Sequence, residues 1–230
     1  MSAPPAAGCP AGIARRYAAW SLDFVVVAAA SLLLTWSRLR LAAQALAEAT
    51  ASLTAQLGRH MGDLLLQGGD PAQLAPVLMR DPCILAAAGA VQSALFALCL
   101  PPLLAYAALG LAWHVGFQRG QWQASPGERA LGLVVVRADG TRVPPLQLAW
   151  RHLASALSWL TLNLGHALAL LPPHRALHDL LSGTAVFDHS GEPRLPGWAK
   201  AWLASQGLLL CAALAWGLLH YLALLQAALA

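Results

Sequence analysis

Four apolar runs, separated by clusters of polar and charged residues, divide the chain. From Tyr17 to Trp36 only Ser21, Asp23, Ser31 and Thr35 interrupt the apolar character, and these 20 residues match one helical crossing of a bilayer. Trp20 and Trp36 stand near the two ends, where interfacial aromatic residues sit. From Pro82 to Gln118 there is no charged residue, and the run exceeds one crossing; Pro101-Pro102 inside it predicts a kink. A third uncharged run, His152 to His174, is interrupted by Asn163, Gly165 and His166, and a fourth goes from Ala201 to Ala230.

The segments between the runs have different patterns. In the outer segment 38–81, Leu39, Leu46 and Leu53 recur every seven residues beside a line of Ala43, Thr50 and Leu57, which predicts an amphipathic helical stripe continuing the first run until Gly68-Gly69-Asp70-Pro71 breaks it. After the second run, Leu131–Val136 is β-branched, Asp139-Gly140 reads as a hairpin turn, and Thr141–Val143 reads as the returning strand before Pro144-Pro145. Ala185–Phe187 is a further strand-like stretch, so these pieces predict a small extramembrane β-hairpin or sheet.

Composition narrows the class. Hydrophobic residues make up 58% and charged residues 10% of the 230, against about 25% charged in typical soluble domains. This excludes a soluble enzyme, a disordered chain and a disulfide mini-protein. The net charge of +4 comes from scattered arginines without a dense basic stripe, so no nucleic-acid partner is expected. Cys9, Cys83, Cys99 and Cys211 have no metal-ligand spacing, and Cys99 and Cys211 lie in apolar runs as small hydrophobes. Residues 1–12, rich in Ala and Pro, read as a disordered tail. The first run is long for a signal sequence and holds Asp23, so it reads as a retained helix.

Charge then bears on topology. If the third run crosses, the basic residues divide seven to seven between the two sides. If it enters and returns, Arg175, Arg194 and Lys200 join the inner set, and the division becomes ten to four. The positive-inside rule favours the second arrangement. The expected fold is therefore an all-α membrane protein: three full transmembrane helices plus a re-entrant or shallow helical hairpin, with the N-terminus inside and the C-terminus outside.

Chemistry concentrates at a few positions. Arg16 and Asp23 are seven residues apart, close to two turns and hence on one helix face. A carboxylate inside a span costs roughly 2.5–3.5 kcal/mol on insertion scales, so Asp23 needs a partner, for which Arg16 and Asp179 are the expected candidates. His174 and His178 are spaced i, i+4, as in some zinc sites, but H-R-A-L-H lacks the glutamate of a zincin motif, and no metal or cofactor is expected. Ser182 near His178 and Asp179 lacks a G-x-S-x-G context, so no enzyme is expected either. His114, His152 and His166 read as hydrogen bonders between helices, and the tryptophans as interfacial anchors.

Three pieces of the chain resemble one family. Arg15-Arg16-Tyr17-Ala18-Ala19-Trp20-Ser21-Leu22-Asp23 is similar to the opening helix of the RDD family of bacterial membrane proteins. Ser125–Val135 with Asp139-Gly140, and Leu177-His178-Asp179-Leu180-Leu181-Ser182-Gly183-Thr184-Ala185-Val186, resemble its later segments. The resemblance implies that Arg16, Asp23 and Asp179 are the naming residues, that Arg151 and His178 support them, and that residues 13–188 form the membrane domain. Residues 189–230 then supply a linker and a C-terminal transmembrane helix. Glu128 departs from the family's usual Lys. The resemblance further implies a bacterial cytoplasmic membrane protein with two readings. In one, it is a proton- or cation-coupled transporter working through Asp23 and Asp179. In the other, it is a non-transporting scaffold or assembly factor that recruits partners or anionic lipid. Three crossings and a hairpin are few to enclose a pathway, so the transporter reading expects a homo-oligomer.

Overall fold

The computed structural model describes residues 9–66, 76, 78–160, 164–192 and 194–229. Helix α1 spans Ile13–Leu66. Its 54 residues reach about 80 Å at ~1.5 Å each, more than twice the ~30 Å hydrocarbon core. The first apolar run and the amphipathic segment after it are thus one helix. Ser31 and Thr35 donate their hydroxyls to Val27 O and Ser31 O at 2.7 Å each, so neither interrupts the apolar run with an unsatisfied group. Thr35, Leu39, Ala42, Leu46, Ala49 and Leu53, at alternating steps of four and three, are buried or half-buried, whereas the Ala43–Thr50–Leu57 line is exposed.

Helix α2, Pro82–Gln118, begins at Asp81, whose Oδ1 accepts the N–H groups of Cys83 (2.7 Å) and Ile84 (3.2 Å), and Pro82 occupies the first turn. His60 near the end of α1 meets Asp81 Oδ2 at 2.8 Å. The helix runs without interruption through Pro101 and Pro102. The expected break at Gly68–Pro71 lies outside the described residues.

The chain divides into two compact units. One is Val25–Ala112, carrying most of α1 and α2; the other joins Met1–Phe24 to Trp113–Ala230 and contains everything else. This second unit holds strand β1 (Cys9–Pro10), helix α3 (Pro126–Ala130), β2 (Leu133–Arg137), α4 (Pro145–Leu160), α5 (Leu164–Ala167), a 3-10 turn (Leu168–Leu170), α6 (Leu177–Ser182), β3 (Thr184–Asp188) and α7 (Gly197–Leu229). Helices α1, α2 and α7 are each long and apolar enough to cross a membrane. With the small sheet, they make an all-α membrane protein of the expected class.

The sheet order is β1-β3-β2, antiparallel throughout, with Leu133 opposite Asp188 and Arg137 opposite Thr184. Since β2 precedes the third apolar run and β3 follows it, both ends of that run meet in one sheet. The run therefore turns back to the sheet it left. Asn163, one of the interruptions in it, lies outside the described residues.

Two local expectations differ. Cys9 and Pro10 pair with Asp188 and Phe187, and Ala11 is buried, so the expected tail over 1–12 is ordered from Cys9; residues 1–8 lie outside the described residues. Thr141–Val143 is not a strand. Asp139 Oδ1 accepts both the Thr141 N–H (2.9 Å) and its hydroxyl (2.5 Å), closing the turn locally, and Val143 is drawn into the core. The long-range partner β3 takes the place of the hairpin.

The core of this unit brings Ala18 and Ala19 of α1 against Leu133 and Val135 of β2, Val186 of β3, Leu148 of α4 and Ala199 of α7. Helix α4 turns its polar face inward: Gln147, Arg151 and Ser155 are half-buried and Ser158 is buried, while Leu146, Trp150, Leu153 and Leu157 are exposed.

Candidate functional site

Two buried carboxylates organise the second unit, and the residues around each arrive from distant parts of the sequence. Asp179 stands in the first turn of α6 and is 0% exposed. Its Oδ2 accepts Arg16 NH1 at 2.6 Å and the Ala176 N–H at 3.1 Å. The second of these is half of a capping box, since Ala176 has no side-chain oxygen for the return bond. Asp179 Oδ1 accepts Arg151 Nε at 3.1 Å and NH2 at 2.9 Å, and Arg151 Nε also reaches Thr184 Oγ1 at 3.2 Å. The remaining reach of Arg16 goes to backbone carbonyls, Ala11 O at 3.1 Å and His174 O at 2.9 Å. One carboxylate thus ties α1, α4, α6 and the start of the central strand β3 together.

Burial alone would raise the Asp179 pKa. The permanent charges of Arg151 and Arg16 outweigh it and hold the carboxyl below the usual carboxylate range. His178, also buried, is pushed down to about 3 by burial and by Arg151. Its ring is neutral at pH 7, so its 3.5 Å approach to Asp179 Oδ1 is a contact of a neutral imidazole and not an ion pair.

Asp23 is placed differently from expectation. Its Oδ1 accepts Trp113 Nε1 at 3.0 Å and the Gly127 N–H at 2.9 Å, and its Oδ2 accepts Ser125 Oγ at 2.5 Å. Arg16 and Asp179 are partners of each other and not of Asp23. Sharing a helix face does not bring Arg16 close enough, because seven residues of helix separate them by about 10 Å. Instead the start of α3 fills the space beside Asp23. A Cβ at Gly127 would overlap the Ala19 carbonyl oxygen and stand 2.8 Å from Asp23 Oδ2, so only glycine allows this approach. The Ser125-Pro126-Gly127-Glu128 segment closes on itself as a full capping box: Glu128 N–H donates to Ser125 Oγ at 3.3 Å, and Ser125 N–H donates to Glu128 Oε2 at 2.7 Å. Gln118 Nε2 also donates to Glu128 Oε2, at 2.9 Å. The departure from Lys at this position therefore has a structural occupation here.

Several site residues had no clear sequence signal. Arg15, 5% exposed, pairs with Asp188 (3.1 Å) and donates to Leu131 O at 3.2 Å and to Glu192 O and Arg194 O at 2.7 Å each, fixing the loop after β3. Its adjacency to Arg16 was the one hint. Trp113 and Trp202 are hydrogen-bond donors, the latter to Ser21 Oγ at 3.0 Å, and not only interfacial anchors. Among the described residues, histidine rings meet between elements in ring contacts and not in the expected hydrogen bonds to each other: His114 of α2 with His152 of α4, and His166 of α5 with His178 of α6, with ring centroids 5.2 Å apart in each pair. His174 precedes α6 and has a positive φ of 59°, so it does not share a helix face with His178 despite the i, i+4 spacing.

What this arrangement does chemically is hold charge still. Every oxygen of the two carboxylates is engaged by protein donors. A family model described as the RDD family matches residues 10–183, which includes Arg16, Asp23, Arg151 and Asp179. No curated protein and no solved structure matches the chain. With three quarters of its length matched, the chain belongs to the RDD family.

Proposed function

We propose that this RDD-family protein is a multi-pass protein of the bacterial cytoplasmic membrane acting as a non-transporting scaffold. In it Arg16, Asp179 and Arg151 lock the hairpin and sheet to the foot of α1. The saturation of Asp179 carries this reading. A carrier carboxylate must release its partners to a proton or cation in every cycle. Here that exchange would leave two guanidiniums, 13% and 12% exposed, without a counter-ion, and breaking a buried pair in this way costs about 3–5 kcal/mol. A lock needs no enclosed pathway, so this reading requires no homo-oligomer, and no reaction is proposed.

A second reading, proton- or cation-coupled transport, is supported by Asp23 and not by Asp179. Among the described residues Asp23 is held by neutral donors, so neutralising it strands no buried cation. The orientation we propose puts the N-terminus inside and the C-terminus outside. All ten basic residues of the inner set fall in the unit Met1–Phe24 with Trp113–Ala230, and the other four fall in Val25–Ala112.

Purified protein in liposomes with an internal pH dye, under proton, sodium and potassium gradients, separates the readings. The scaffold predicts no protein-dependent flux. Flux lost in Asp23→Asn supports the second reading, and flux lost in a stably folded Asp179→Asn overturns the lock. Cysteine labelling at His189 and Gln226, in a background without Cys9, Cys83, Cys99 and Cys211, tests orientation: His189 should label from the inside and Gln226 from the outside.

A further inference from the structure

We propose that the exposed face of α4 is a lipid-binding surface, seated in the interface of an anionic leaflet as a shallow wedge. The helix is amphipathic with the usual sides reversed. Its polar side is occupied by the protein: Arg151 by Asp179, Gln147 by the Ser182 carbonyl, and Ser158 beneath Gly165, where a Cβ would lie 2.9 Å from the Ser158 Cβ. Its other side presents Leu146, Trp150, Leu153 and Leu157 at steps of four, three and four, exposed by 84%, 53%, 57% and 44%. Leu168 and Leu171 of the returning turn extend the same apolar character. A continuous apolar stripe of this kind marks an interaction surface.

Geometry limits what the surface can meet. The 16 residues of α4 reach about 24 Å, short of the ~30 Å hydrocarbon core, and the sheet ties both ends of the hairpin to one place. The helix can lie in the interface but cannot span.

Charge selects the occupant. The unit containing α4 holds ten basic and six acidic residues, and the other unit holds four of each, so the net charge of +4 belongs entirely to the former. Four of its six acids are buried or ion-paired: Asp23, Glu128, Asp179 and Asp188. Seven of its basic residues, among them Arg119 after α2, Arg137 at the end of β2 and Arg142 just before α4, have no carboxylate partner among the described residues. The Arg142 guanidinium bridges to the carbonyls of Arg119 and Gly120, which gathers this positive charge near the start of the helix. A second copy docking on the same face would bring an equally basic rim against it, which is unfavourable. Anionic phospholipid satisfies both features, taking the leucines among its acyl chains and the arginines at its headgroups.

The wedge does not depend on whether the protein transports, but its leaflet rests on the orientation proposed above. The test uses the full chain without its four cysteines, reconstituted in bilayers of phosphatidylcholine with a quarter phosphatidylglycerol. Nitroxides are placed singly at Leu146, Leu153 and Leu157, with Asp139 as the aqueous control. The three α4 positions should be accessible to oxygen and shielded from a water-soluble nickel chelate, and Asp139 the reverse. Accessibility of the three to the nickel chelate overturns the proposal, and so does shielding from both reagents, which would mean that protein covers the face. In the same bilayers, preference for spin-labelled phosphatidylglycerol over phosphatidylcholine should fall about fivefold for each of Arg119→Gln and Arg137→Gln, from about 1 kcal/mol per arginine near an anionic surface. An unchanged preference overturns the anionic assignment. If His189 labels from the outside while the nitroxide pattern holds, the orientation fails and the wedge stands.

Discussion

Replacing Asp179 by Asn tests the lock most directly. The change keeps the shape and one oxygen but removes the negative charge that Arg16 and Arg151 approach within 2.6 Å and 2.9 Å. The two guanidiniums then share a largely buried space without a counter-ion, which costs about 3–5 kcal/mol. For a chain of this size that corresponds to a fall in Tm of about 10 °C, at 2–4 °C per kcal/mol. Heating in mild detergent followed by size-exclusion chromatography measures it. A cycle adds specificity: once Asp179 is Asn, changing Arg151 to Gln should cost much less than in the wild type, because it then removes an uncompensated cation. Strictly additive losses, or a shift under about 2 °C with full expression, would refute the lock. Its pH behaviour is also fixed in sign. A carboxyl held below its ordinary pKa of about 3.9 contributes its full stabilisation above that value and loses it only as pH falls further. The Asp179→Asn deficit should therefore be flat from pH 5 to 8.

Other changes follow from the same geometry. His178 acts with the same sign in a higher pH window: its folded pKa near 3 lies below the ordinary 6.5 or so, so as pH falls the unfolded chain takes the proton first. Stability should decline between about pH 6.5 and 4 by at most about 1.4 kcal/mol per pH unit, and His178→Gln should flatten that decline in a thermal series. Gly127→Ala should destabilise by about 1–3 kcal/mol, since the new methyl meets backbone and the Asp23 carboxylate and neither can yield cheaply. Asp23→Asn should cost about 1–3 kcal/mol by leaving one of three buried donors unpaired, and Ser125→Ala should cost less, read by the same heating assay. Arg15→Gln should release the segment after β3, seen as faster amide hydrogen exchange over residues 188–192 with little change in α2.

The sequence by itself determined the membrane class and the three long helices, and its charge distribution favoured a turning-back of the third apolar run. These follow from where charge is scarce and how it is distributed, and an apolar chain cannot hide that pattern. The basic residues that favoured a returning hairpin are the same ten that the fold gathers into one unit. The stripe Leu39–Leu46–Leu53 was equally legible, because helical periodicity is local. The identity of the charged residues was readable, but their pairing was not. Arg16 and Asp23 share a face of one helix, and nothing in a helical repeat says that Asp179, 163 residues away, captures Arg16 while Ser125 and Gly127 arrive at Asp23. Nor could local pattern choose β3 over Thr141–Val143 as the partner of β2, because Asp139 satisfies its own turn and leaves β2 to pair at long range. Tertiary structure decided these matters because hydrogen bonds to a buried carboxylate depend on angstroms of approach, and those are set by which backbone packs closest, here through a glycine without a side chain.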